Sequence, residues 1–93
     1  MSEPVVLITG ASAGIGAALA QLLADRYMGI RLVLAARSED KLNQVRDRCT
    51  KSGADVLVVP TDLSDPEQAK SLAQKALDYF GQIDVLVNNA GYG

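Results

Sequence analysis

Five features of this 93-residue chain have residue types and spacings suited to chemistry. The first is Thr9-Gly10-Ala11-Ser12-Ala13-Gly14-Ile15-Gly16, between a short apolar run and a helix-periodic one. An apolar run, a glycine-rich turn and an amphipathic helix describe a strand, a phosphate loop and a helix N-terminus. Gly10 lets the chain turn sharply, Gly14 leaves room for a pyrophosphate, and Gly16 lets the helix pack close to the strand. The first N–H groups of such a helix have no internal partner and sit at the positive end of its dipole, which stabilises an anion. The spacing is G-x-x-x-G-x-G, and no Gly-Lys-Ser/Thr ends it, so it is not a P-loop.

The second feature is Arg37. A dinucleotide site that takes NAD carries an acid about 20 residues beyond the glycines, bonded to the ribose 2′-hydroxyl. Here that place is held by Ala36, followed by Arg37 and Ser38. A missing acid beside a guanidinium suits a 2′-phosphate, because arginine offers paired donors and a permanent charge. The third and fourth features are Asp62-Leu63 and Asn88-Asn89-Ala90-Gly91, each just past a strand-like run. The fifth is a competing motif: Gly10-Ala11-Ser12-Ala13-Gly14 also fits G-x-S-x-G, a hydrolase nucleophile elbow with Ser12 as nucleophile. The chain has no histidine to serve as its base. Cys49 stands alone, which excludes an intrachain disulfide, and reads as a small half-buried helix residue.

These residues need elements to hold them. Val5 to Ile8 reads as a strand buried on both faces, as in the middle of a parallel sheet. The helix after the loop places Ile15, Ala18, Leu19, Leu22 and Leu23 on one face, with Gly29 just past its end. Ile30 to Ala36 is a second strand. Ser38 caps the next helix, with Glu39 and Asp40 in its first turn and Leu42, Val45 and Cys49 on its buried stripe. Ser52-Gly53 closes it. Asp55 to Val59 is a third strand, ended by Pro60. Ser64 and Glu67 make a capping box around Asp65-Pro66. The third helix is expected to bury Ala69, Leu72, Ala73, Ala76, Leu77 and Phe80 and to stop at Gly81. Asp84 to Val87 is a fourth strand. Strands and helices alternate, so the expected class is α/β with a parallel sheet, and right-handed crossovers suggest the order 3-2-1-4.

Composition narrows the function. An apolar fraction of 48% suffices for a core, and a net charge of −2 gives no reason to expect nucleic acid or an anionic membrane surface. No apolar run approaches the ~18 residues of a membrane span. Met1-Ser2-Glu3-Pro4 lacks a basic n-region, so the expected location is cytoplasmic.

Taken together, the glycine loop, Asp62-Leu63 and Asn88-Asn89-Ala90-Gly91 resemble the motifs of the short-chain dehydrogenase/reductase family, in order and over the whole chain. The resemblance implies a Rossmann-like, doubly wound sheet, present in part as four strands and three helices, and a cofactor site built from Gly10, Ser12, Ala13, Gly14, Ile15, Gly16, Arg37, Ser38, Asp62, Leu63, Asn89, Ala90 and Gly91. It implies that Asp62 takes the adenine amino group, the Leu63 backbone meets the ring, the Asn89 backbone lies against the cofactor, and Asn88 helps hold the central strands. Ala36-Arg37 is similar to the branch that prefers NADP. The family's catalytic serine and Y-x-x-x-K tyrosine and lysine are expected beyond these residues: Tyr27 is followed at +4 by Arg31, and Tyr79 by Ile83. No catalytic or metal-ligating residue is therefore assigned. The expectation is the N-terminal cofactor-binding part of one NADP-dependent oxidoreductase domain acting on a small carbonyl or alcohol, homo-oligomeric at full length. The alternative is a non-catalytic nucleotide-binding module.

Overall fold

The computed structural model describes residues 3–89, so Ala90 and Gly91 lie outside the described residues. Seven elements alternate: β1 (Val5–Thr9), α1 (Gly14–Arg26), β2 (Arg31–Ala36), α2 (Glu39–Lys51), β3 (Asp55–Pro60), α3 (Pro66–Phe80) and β4 (Val85–Val87). The four strands form one parallel sheet in the order β3-β2-β1-β4, an order compatible with right-handed crossovers. Register pairs Leu7 with Val33 on one side and with Leu86 on the other.

The continuous apolar character of β1 has a direct structural cause. Val6 and Ile8 pack into a cluster with α1 and α2 residues, including Ala20, Ala24, Leu42, Val45 and Cys49. Val5 and Leu7 point the other way, toward Leu72 and Ala76 of α3. Period-2 alternation thus feeds two cores from one strand.

Two local expectations change in the structure. The buried face of α1 is Gly16, Ala20 and Ala24, whereas Ile15 is 78% exposed and Leu22 53% exposed. Leu19 and Leu23 pack partly against the core, and Ala18 is exposed. The reason is the contact between Gly16 and Gly10. A Cβ added at Gly16 would stand 2.3 Å from the Gly10 carbonyl oxygen. That contact sets the rotation of the helix, and the small residues one and two turns on follow it onto the sheet.

The start of α3 also differs. Asp65, not Ser64, is the N-cap, and its Oδ1 accepts from the Glu67 N–H at 3.0 Å. Pro66 at the first helical position fixes the cap one residue before itself. Ser64 is turned back toward Asp62 instead. Within α3, Leu72 and Ala76 are buried and Ala69 and Phe80 half-buried, but Ala73 and Leu77 are exposed. The buried stripe of α2 and the Ser38 cap are as expected, with Ser38 Oγ accepting from the Lys41 N–H at 3.4 Å.

Candidate functional site

The C-terminal ends of β1, β2 and β3 open onto a cleft of about 670 Å³. Ligands of open α/β sheets bind at this end, where the chain switches direction between neighbouring strands. Here the switch lies between β1, which continues outward to β2, and β4 on its other side. The cleft brings together Gly10, Ser12, Ala13, Gly14, Ile15, Arg37, Ser38, Asp62, Leu63 and Asn89. Of the described candidates, Gly16 alone does not line it; it stands behind the loop against Gly10.

The loop floor is made for an anion. Gly10 has φ 64° and Gly14 φ 57°, values that favour glycine. A Cβ at Gly14 would meet nothing within 4 Å, so this side of the loop is open. The N-cap of α1 is Ala13, with no side-chain cap and no acid in the first turn. By contrast, α2 is capped by Ser38 and carries Glu39 and Asp40, and α3 is capped by Asp65 and carries Glu67. The first N–H groups of α1 therefore face the cleft without a side chain to satisfy them. Among the described residues no non-glycine residue has positive φ, so Ser12 lacks the strained turn of a nucleophile elbow, and the hydrolase reading fails on geometry.

Arg37 and Ser38 line the cleft past β2, and Lys41 joins them from α2. Lys41 was not singled out from the sequence, although its pattern carried a signal. A cation in the first turn of a helix opposes the dipole, so its presence there calls for another reason. Neither Arg37 nor Lys41 forms an ion pair among the described residues. Glu39 and Asp40 make the N-terminus of α2 itself a poor anion site, so any anion held here is held by the two side chains.

Across the cleft, Asp62 is held tightly. Its Oδ1 accepts from the Ser64 N–H at 3.0 Å and from the Ser64 hydroxyl at 2.6 Å. Its own N–H donates to Gln68 Oε1 at 2.7 Å. The Ser64 hydroxyl foremost, then the Ser64 N–H and the charge of Arg37, hold the Asp62 carboxyl below its ordinary range. Thr61 and Ser64 complete this wall.

The central strands are tied at the cleft by Thr9. Its hydroxyl accepts from the Asn89 N–H at 2.9 Å and donates to Asn88 Oδ1 at 3.1 Å. Asn89 Nδ2 donates to the Gly10 carbonyl at 3.4 Å. Asn89 thereby reaches the cleft, while Asn88 is spent on strand pairing.

Among the described residues no helix is long and apolar enough to cross a membrane. The L-sorbose reductase of Gluconobacter frateurii, solved with NADPH and L-sorbose, superposes with a TM-score of 0.87 at 40% identity, covering 98% of this chain and 34% of that one. A short-chain dehydrogenase/reductase of Burkholderia phymatum, solved with NAD, superposes at 0.83 with 39% identity, covering 91% of this chain and 30% of that one. The 11-beta-hydroxysteroid dehydrogenase-like 4A of Arabidopsis thaliana is 50% identical over 94% of this chain. This chain spans 29% of that protein's length. Dehydrogenase/reductase SDR family member 7 of Mus musculus is 42% identical over 98% of the chain, which spans 28% of its length. With the description "short chain dehydrogenase" matched over residues 4–93, on top of the parallel sheet and its glycine loop, the chain belongs to the short-chain dehydrogenase family.

Proposed function

We propose that the cleft binds NADP(H), and that these residues form the cofactor-binding part of one oxidoreductase domain that moves hydride between NADPH and a small carbonyl or alcohol. The cofactor supplies the hydride. The protein's part is to place it. The uncapped start of α1 would take the pyrophosphate, Asp62 and Leu63 the adenine, and Arg37 with Lys41 the ribose phosphate. Asn89 would lie along the nicotinamide side; Ala90 and Gly91, which the resemblance adds to the site, are outside the described residues.

One observation carries the choice of NADP over NAD: Ala36, Arg37 and Lys41 line one end of the cleft, where no acid stands to bond a ribose diol. Relatives crystallised with either cofactor leave that choice to the side chains. Ketone reduction also needs a proton donor. By the family resemblance that donor is a Y-x-x-x-K tyrosine, and neither Tyr27 nor Tyr79 has a lysine four residues on. The proton step is therefore ascribed to residues other than these. Homo-oligomeric assembly and a cytoplasmic location complete this reading.

The test is titration of NADPH and NADH into the protein at low and high salt. NADPH should bind about 10- to 30-fold more tightly at low salt, as expected for a hydrogen-bonded charge pair at an exposed site. The gap should narrow as salt screens the phosphate contacts. Equal affinities at low salt would refute the NADP assignment.

A further inference from the structure

We propose that Ser64 is a positioning residue that locks the Asp62 carboxylate in one orientation, so that the cleft selects a purine presenting an exocyclic amino group over one presenting an exocyclic carbonyl. This rests on the reading of the cleft as a nucleotide site and names a residue that acts on its base selectivity through Asp62.

The geometry is closed on three sides. Ser64 takes Oδ1 of Asp62 twice, through its N–H at 3.0 Å and its hydroxyl at 2.6 Å. Gln68 of α3 takes the Asp62 N–H at 2.7 Å, and its own Nε2 donates to Asp65 Oδ2 at 3.3 Å. The Asp62 carbonyl accepts from the Asp65 N–H at 3.1 Å. Asp62 is thus fixed in its backbone and in one carboxylate oxygen, on a base anchored to the helix start. Its Oδ2 has no hydrogen bond to the described residues and belongs to a side chain that lines the cleft.

An ionised carboxylate only accepts hydrogen bonds. The hydrogen bonds from Ser64 favour that ionised form. Oδ2 therefore attracts the exocyclic amino group of adenine and repels the carbonyl that replaces it in hypoxanthine. A side chain free to rotate would discriminate less, since each rotamer must be frozen on binding. Ser64 is exposed, and the hydrogen bond that its hydroxyl donates goes to Asp62.

The experiment measures selectivity as a ratio, which a general loss of stability leaves unmoved. Nicotinamide adenine dinucleotide phosphate and its hypoxanthine analogue, both reduced, are titrated by nicotinamide fluorescence into the wild-type protein, Ser64→Ala and Ser64→Thr. Wild type should prefer the adenine form. Ser64→Ala should lose about three- to tenfold of that preference, the range of one net hydrogen bond. Ser64→Thr keeps the hydroxyl and should restore it. Asp62→Asn supplies an independent check. The Ser64 N–H can only donate, so the amide must give its oxygen to Ser64 and turn its NH₂ toward the base. The preference should then reverse toward hypoxanthine, and adding Ser64→Ala should shrink the reversal without abolishing it, because the backbone N–H that orients the amide remains. An unchanged ratio in Ser64→Ala, with binding retained, overturns the positioning role while leaving the nucleotide site standing. Absence of binding of either dinucleotide to wild type overturns the site reading, and this proposal with it.

Discussion

The Thr9 hydroxyl accepts a hydrogen bond from the backbone N–H of Asn89 at 2.9 Å, across 80 residues of chain. The same oxygen donates to Asn88 Oδ1 at 3.1 Å. One buried hydroxyl therefore ties the end of β1 to the chain leaving β4, beside the glycine loop that starts one residue later. Thr9→Val keeps the shape and removes the hydroxyl. It leaves the Asn89 N–H without this partner, which costs about 1 kcal/mol for a part-buried bond. Chemical denaturation should show a loss of that size, with Thr9→Ser recovering most of it.

Gly16 and Gly14 should respond differently to alanine. At Gly16 the new Cβ meets backbone at 2.3 Å, so α1 must move away from the loop. Overpacking of this kind costs about 1–3 kcal/mol or more. At Gly14 space is open and the cost is the left-handed backbone, about 1–2 kcal/mol. Gly16→Ala should lower stability at least as much, and should also weaken anion binding by displacing the N-terminus of α1. Comparing urea midpoints with pyrophosphate affinity for both variants checks this; an unchanged midpoint in Gly16→Ala would contradict the close approach.

Arg37→Ala should weaken NADPH binding by about 10- to 30-fold and leave NADH nearly unchanged, the size of one exposed charge-assisted bond. Ala36→Asp should reverse the preference, since a carboxylate would bond the ribose diol and repel a phosphate. Equal losses for both cofactors in Arg37→Ala would show that the arginine supports the loop and does not read the phosphate.

Stability should be flat through neutral pH and fall in acid. The chain has no histidine. The Val5 N–H, donating to Asp84 Oδ2 at 2.8 Å, is the main cause that lowers the Asp84 carboxyl, with Gln82 and Arg31 adding to it. Asp25 is lowered in the same way by the Ser52 hydroxyl and Gln21. A carboxyl depressed in the folded state contributes stability that is complete above its unfolded value, here 3.8, and is lost as pH falls through the folded value. Thermal melts from pH 8 to 5 should superimpose, and those below about pH 4 should drop. Asp84→Asn should show a shallower acid limb than wild type. An identical limb would mean that the Asp84–Val5 bond is not formed in solution.

Leu86 is 63% exposed and Val85 46% exposed on β4, which among the described residues pairs only with β1. An apolar strand with one unpaired side favours edge-to-edge association. Sedimentation of the 93-residue chain should show concentration-dependent self-association, and Leu86→Lys should reduce it. A strictly monomeric wild-type chain at tens of micromolar would count against the exposed edge as an association site.

The order of elements was legible in the residues themselves. Period-2 and 3.6-residue patterns depend only on local geometry, so Val5 to Ile8, the α2 stripe of Leu42, Val45 and Cys49, and the alternation of strands and helices followed directly. Right-handed crossovers then suggested the strand order that the sheet has. The glycine loop and Arg37 could be read for the same reason, because a backbone turn and a fixed charge are local properties. Which face of α1 is buried depended on a contact between Gly16 and Gly10 that side-chain hydrophobicity does not encode, and the leucines misdirected the reading. The cap of α3 turned on the proline at its first position and on Ser64 finding a better partner in Asp62. Lys41 reached the cleft only because α2 starts beside the end of β2. The Thr9–Asn89 bond joins chain ends that only the parallel pairing of β1 and β4 brings together. Local propensities are set by neighbours in sequence, whereas the rotation of a helix and the partner of a buried hydroxyl are set by what the fold places opposite them.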